Sequence, residues 1–159
     1  MTKRTPKAET LQQLTLNLLE LTSAMETKAT ELTAPHGQTP SRWKVLTSAA
    51  GSPHTVPQIA RRMGLSRQAV QKIANALVAD GLAFLEDNPD HKTSPFLRLT
   101  PKGVKLTEAI GADHTKWANA FSKSFTLDNL KTTAGTLRQL CDRLLEEDTP
   151  ENKRRPRRG

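Results

Sequence analysis

Residues 55–82 read TVPQIARRMGLSRQAVQKIANALVADGL, and their punctuation predicts two short helices joined by a tight turn. Thr55 caps the first helix, and Gln58 three positions later completes a capping-box spacing. Pro57 falls in the first turn, where a missing N–H leaves no intrahelical bond unmade. Ile59, Ala60 and Met63 make one apolar face, and Gly64 supplies the positive φ that stops the helix. Ser66 caps the second helix, behind which Val70, Ile73, Ala74 and Leu77 recur at helical spacing. The opposite face carries Arg67, Gln68, Gln71, Lys72 and Asn75, donors and acceptors suited to base edges and phosphates. No acidic residue falls between Gly64 and Ala79, whereas a merely solvated helix usually mixes signs. The stretch therefore reads as a helix-turn-helix with residues 66–80 as the recognition helix. Ser66, Arg67, Gln68, Gln71, Lys72 and Asn75 are its expected DNA contacts. The alternative is an αα-hairpin whose polar face is only solvated.

The flanks extend this reading. Gly81 stops the second helix, and residues 83–86 and 96–100 flank a polar nine-residue loop, predicting a β-hairpin wing. Lys92, beside His91, is the cation near its tip: it touches phosphate or the minor groove, or is solvated. Upstream, Thr39-Pro40 opens a helix whose apolar face is Trp43, Leu46 and Ala50, closed by Gly51-Ser52-Pro53. Downstream, Thr100-Pro101 opens a long element carrying Val104, Leu106, Ile110, Trp117, Phe121 and Phe125, with Gly111 as a kink or end. Leu11, Leu14, Leu18, Leu21 and Met25 alternate steps of three and four on a helix from Ala8 to about Leu32. Thr126 caps a last helix whose stripe is Leu127, Leu130, Ala134, Leu137, Cys141 and Leu144. Two narrow seams at opposite ends of the chain predict that the termini pack together across a two-fold homodimer.

The expected fold class is mainly α (α+β). A winged helix-turn-helix spans residues 39–100, between an N-terminal dimerisation helix in 1–38 and a long helix plus dimerisation helix in 101–148. A basic tail over 149–159 is expected to be disordered. Of the net charge of +8 over 159 residues, Lys153, Arg154, Arg155, Arg157 and Arg158 supply five. That balance suits a polyanion, here double-stranded DNA. One cysteine excludes an internal disulfide framework and suits a reducing cytoplasm, in which a DNA binder sits with the nucleoid. Residues 1–30 lack the continuous apolar run of a secretory signal or membrane span. His36, His54, His91 and His114 show no metal-ligand spacing, and neither a phosphate loop nor an adjacent nucleophile–base pair is present. No catalytic residue, metal or cofactor is expected. Cys141, on the apolar seam, is expected to be a buried structural thiol.

In this order of parts the chain resembles the MarR family of transcriptional regulators, over about residues 11–145. TPSRWKVLTSAAG, then the helix-turn-helix, the wing, and LRLTPKG opening the long helix carry the likeness. The resemblance implies a dimer with one recognition helix in each of two major grooves, repression of transcription, and release of DNA by a small aromatic ligand. It also implies an effector pocket near the second helix and the long post-wing helix, which Trp43 and Trp117 would line. The family wing usually carries an Asp-x-Arg type sequence, where this chain has Asp-His-Lys-Thr-Ser-Pro. Lysine lacks arginine's planar fork, so sequence reading by this wing is expected to be weak. Some relatives sense oxidants through a cysteine near the start of the chain, and this sequence has none there. Two other functions remain open: a non-specific architectural DNA binder using the basic tail, and a protein-interaction module built on a winged helix.

Overall fold

A computed structural model describes residues 3–90 and 93–147 of the chain. It divides into two units, residues 1–115 and 116–159, each considered by itself. Helix α1 (Pro6–Thr33) is capped by the Thr5 side chain and leads through a 3-10 turn (Ala34–His36) to Gly37 at φ 65°. Helix α2 (Pro40–Ala50) starts at Thr39, whose hydroxyl accepts from the Arg42 N–H. Strand β1 (His54–Thr55) precedes α3 (Val56–Met63), and α4 (Arg67–Ala79) follows. Strands β2 (Ala83–Glu86) and β3 (Phe96–Leu99) form the wing, and α5 (Pro101–Phe121) leaves it. In the second unit a 3-10 turn (Ser122–Ser124) precedes α6 (Leu127–Glu147), capped by the Thr126 hydroxyl.

The local signals act as their chemistry requires. Thr55 and Gln58 make both hydrogen bonds of the capping box, and Gly64 takes φ 64°. Ser66 caps α4 by accepting from the Ala69 N–H at 3.1 Å. Helix α5 continues past Gly111, so that glycine does not end it.

The core of the first unit is fully buried Val45, Leu46, Ile59, Val70, Leu77, Leu97 and Ile110. On α2 it differs from the sequence expectation. Val45, Leu46 and Ala49 are buried, while Trp43 is half-buried and Ala50 exposed. A stripe Trp43-Leu46-Ala50 and a stripe Leu46-Ala49 are both helical in spacing, and only contact with α3, α4 and β3 selects the second. The sequence also missed β1, two residues that add to the wing as an edge strand. The sheet order is β1-β3-β2, all antiparallel, with His54 opposite Leu97 and Leu85 opposite Leu97 on the other side. Among the described residues no helix is long and apolar enough to cross a membrane.

Candidate nucleic-acid interface

Helix α4 turns Val70, Ala74 and Leu77 into the core. At 3.6 residues per turn, this leaves Arg67, Gln68, Gln71, Lys72 and Asn75 on the outer surface. All five, and Ser66 at the cap, are exposed. They therefore form one continuous polar face, as their spacing predicts. Gln71 Nε2 donates to Asn75 Oδ1 at 2.8 Å, one turn along. That bond leaves Gln71 an acceptor oxygen and a further N–H, the pair that an adenine edge satisfies.

The sheet register brings a second element to this face. Val56, Pro57, Arg67, Gln68, Gln71, Leu85, Thr93, Ser94 and Pro95 line an open cavity of about 250 Å³ between α3, α4 and the returning arm of the wing. In the sequence Ser94 and Pro95 are only the last two residues of the polar loop between the wing strands. Their place opposite α4 depends on strand pairing, which no local pattern states. Asn88 organises this arm: its Nδ2 donates to the Ser94 carbonyl at 3.0 Å and its Oδ1 accepts from the Asp90 N–H at 3.1 Å. Asn88 is accordingly one of the few buried polar side chains.

The charge on the two elements differs in sign. Arg61, Arg62, Arg67 and Lys72 are exposed on α3 and α4, and no carboxylate stands among residues 56–79. Described wing residues 83–90 and 93–99 carry Glu86, Asp87 and Asp90 against the single cation Arg98, which lies 3.4 Å from Glu86. A polyanion is therefore attracted by the helices and repelled by the strands. Lys92, the expected wing contact, and the basic tail of residues 149–159 both lie outside the described residues.

The two tryptophans stand in different units. Trp43 has its ring centroid 5.3 Å from that of His114. With Lys44, Thr47, Ser48, Arg62 and Met63 it lines a cavity of about 340 Å³ on α2 and α3. Trp117 stacks on Phe121, with centroids 5.4 Å apart. Cys141 is exposed, contrary to the expected buried thiol. Among the described residues of α6 none is buried, and Leu137 on the same seam is half-buried.

The model of the MarR family matches residues 36–92. A protein of Mycobacterium tuberculosis is 35% identical over 140 residues, covering 88% of this chain and 98% of the relative. An HTH-type transcriptional regulator of Staphylococcus aureus is 28% identical over 109 residues, covering 67% of this chain and 75% of that one. Among solved structures, Staphylococcus aureus MarR in complex with salicylate and kanamycin superimposes with a TM-score of 0.76 at 26% identity, covering 89% of this chain and 97% of that chain.

Proposed function

This chain belongs to the MarR family of DNA-binding transcription regulators, and from that premise we propose that it is a ligand-responsive repressor that reads a pseudo-palindromic operator as a homodimer. The observation that carries the reading is the exposed, acid-free face of α4 from Ser66 to Asn75. Arg67, Gln68 and Gln71 are its base readers. Arg67 suits guanine O6 and N7, and the glutamines suit adenine N6 and N7. Lys72 supplies a phosphate contact. Homodimerisation is supported by what the chain leaves uncovered: Leu11, Leu21 and Met25 on α1, and Leu127, Leu130 and Leu144 on α6, are all exposed. Apolar stripes of that length gain from burial against a second copy. The two recognition helices then enter major grooves about one turn, ~34 Å, apart.

The test is selection from random duplex DNA by the full chain at near-physiological salt. The expected result is an inverted repeat with half-sites about one turn apart, ~10 bp. Binding without an enriched motif would support an architectural role, and absence of binding would support a protein-interaction module.

The effector site proposed here is the cavity beside Trp43. One aromatic wall, two cations (Lys44 and Arg62) and two hydroxyls (Thr47 and Ser48) suit a small aromatic carboxylate. The Staphylococcus aureus MarR complex with salicylate supports that ligand class. Salicylate is expected to quench tryptophan fluorescence and release the selected duplex over one concentration range. Trp43→Phe should abolish most of the quench and Trp117→Phe should preserve it. A quench that survives Trp43→Phe removes this cavity from the reading.

A further inference from the structure

The base-reading residues occupy the N-terminal two-thirds of α4, but the directional bonds that tie this helix to other elements gather at its other end. Asp80, the C-terminal cap residue, has its carboxylate paired with the Arg42 guanidinium of α2. Arg42 is itself oriented by Gln38, whose Oε1 accepts from Arg42 Nε at 2.7 Å. Three successive carbonyls then accept from the start of α5. Lys102 Nζ donates to the Asp80 carbonyl at 3.1 Å, Thr100 Oγ1 to that of Gly81 at 2.8 Å, and the Thr100 N–H to that of Leu82 at 3.1 Å. Thr100 Oγ1 also accepts from the Gly103 N–H at 3.1 Å, which makes the hydroxyl a two-way link between the helix end and α5.

Resting on the proposed DNA-reading function, we propose that this junction is a latch that sets the attitude of the recognition helix, with Arg42, Asp80 and Lys102 as positioning residues that touch no base. The buried contacts of α4, through Val70, Ala74 and Leu77, are apolar, and packing of that kind selects a crossing angle only to within about 15–20°. Hydrogen bonds and the ion pair depend on direction, so they fix it. Leverage magnifies their effect. Gln68 lies twelve residues from Asp80, about 18 Å along the helix, so a tilt of roughly 10° moves its backbone by about 3 Å. A bidentate base contact does not survive a displacement of that size.

The latch is also separable from the fold. The Asp80 side chain is 53% exposed and that of Arg42 19%, so water reaches the pair from the Asp80 side and screens it, leaving a contribution of about 1 kcal/mol or less. A cavity of about 450 Å³, lined by His36, Gln38, Asp80, Leu82, Lys102 and Leu106, opens beside it. Asp80→Asn there changes one solvent-facing carboxylate oxygen and leaves the buried Leu82 side chain in place.

The test compares Arg42→Gln, Asp80→Asn and the double variant, in the full chain, on the selected duplex and on a scrambled duplex of equal length. If the latch positions the helix, each single variant lowers the ratio of selected to scrambled affinity by about two- to fivefold. The double variant lowers it no further, because both break one link. Melting temperature stays close to that of the wild type. An unchanged ratio overturns the latch. So does a double-variant loss equal to the product of the two singles, since the residues would then act independently. An equal loss on both duplexes overturns it too, making Arg42 a phosphate contact. Should Asp80→Asn melt appreciably lower, Lys102→Met removes the donor to the Asp80 carbonyl and is read by the same ratio. A wild type that enriches no motif overturns the DNA-reading function and the latch together, whereas a wild type that enriches one while the variants match it overturns the latch alone.

Discussion

Gly103→Ala is expected to destabilise the protein by about 1–3 kcal/mol or more, because the added methyl has no room and its obstacle cannot rotate away. A Cβ built on Gly103 stands 2.0 Å from the carbonyl oxygen of Leu82 and 3.0 Å from the carbonyl carbon. Both are backbone atoms of the segment joining α4 to β2, so relief requires α5 to move off the wing. The same oxygen accepts from the Thr100 N–H, and that bond stretches when α5 moves. A fall in melting temperature of about 5–10 °C should follow. Gly111→Ala, in the same helix, is the internal control. A Cβ there meets nothing within 4 Å. The substitution exchanges a poor helix former for the best one and should stabilise by about 0.5–1 kcal/mol. Identical chemical changes eight residues apart are thus expected to have opposite signs in thermal melting. Gly103→Ala melting at or above the wild-type temperature would falsify the close-approach account.

On the proposed reading, Gln71→Ala is expected to weaken binding to the selected duplex by about 1–3 kcal/mol, roughly 5- to 150-fold. The loss concentrates on one base pair of each half-site, so the variant tolerates other bases there. Gln71 stands mid-face on α4, with its Nε2 held by Asn75 Oδ1, so its amide meets the base edge already oriented. Asn75→Ala should lose a smaller part of the same preference, because it removes the support and leaves the reader. Lys72→Ala should weaken selected and scrambled duplexes alike and reduce the salt dependence by about one phosphate contact. Binding to a panel of single-base operator variants separates these patterns. A Gln71→Ala protein with unchanged preference at every position means that another face of the molecule reads DNA.

Much of the molecule was legible in residues 55–82, because each signal there is local. A capping hydroxyl, a left-handed glycine and a period of 3.6 act within one turn of helix, so Thr55, Gly64, Ser66 and the buried row Val70-Ala74-Leu77 follow from their neighbours alone. The polar face of α4 was legible for the same reason: it is whatever the buried row leaves outside. Failures came where a local pattern had two readings. On α2 the choice between Ala49 and Ala50 as the buried residue was open until other elements packed on it. For Cys141, an apolar stripe on α6 implied burial, but a stripe specifies only that one side is apolar and not what covers it.

Local signals set most of the helices and their caps, the hairpin and the polar face of α4, since these depend on residues within about four positions of one another. Tertiary structure alone decided which elements meet. It placed Ser94 and Pro95 across a groove from Gln68 and Gln71, added β1 to the edge of the wing, and brought Arg42 to Asp80 across 38 positions of chain. It also set Gly103 against the Leu82 carbonyl, so that a glycine unremarkable within a helix became a point of contact between two elements. Such pairings depend on the packing of the whole apolar core and on strand register, properties that no single stretch of the chain contains.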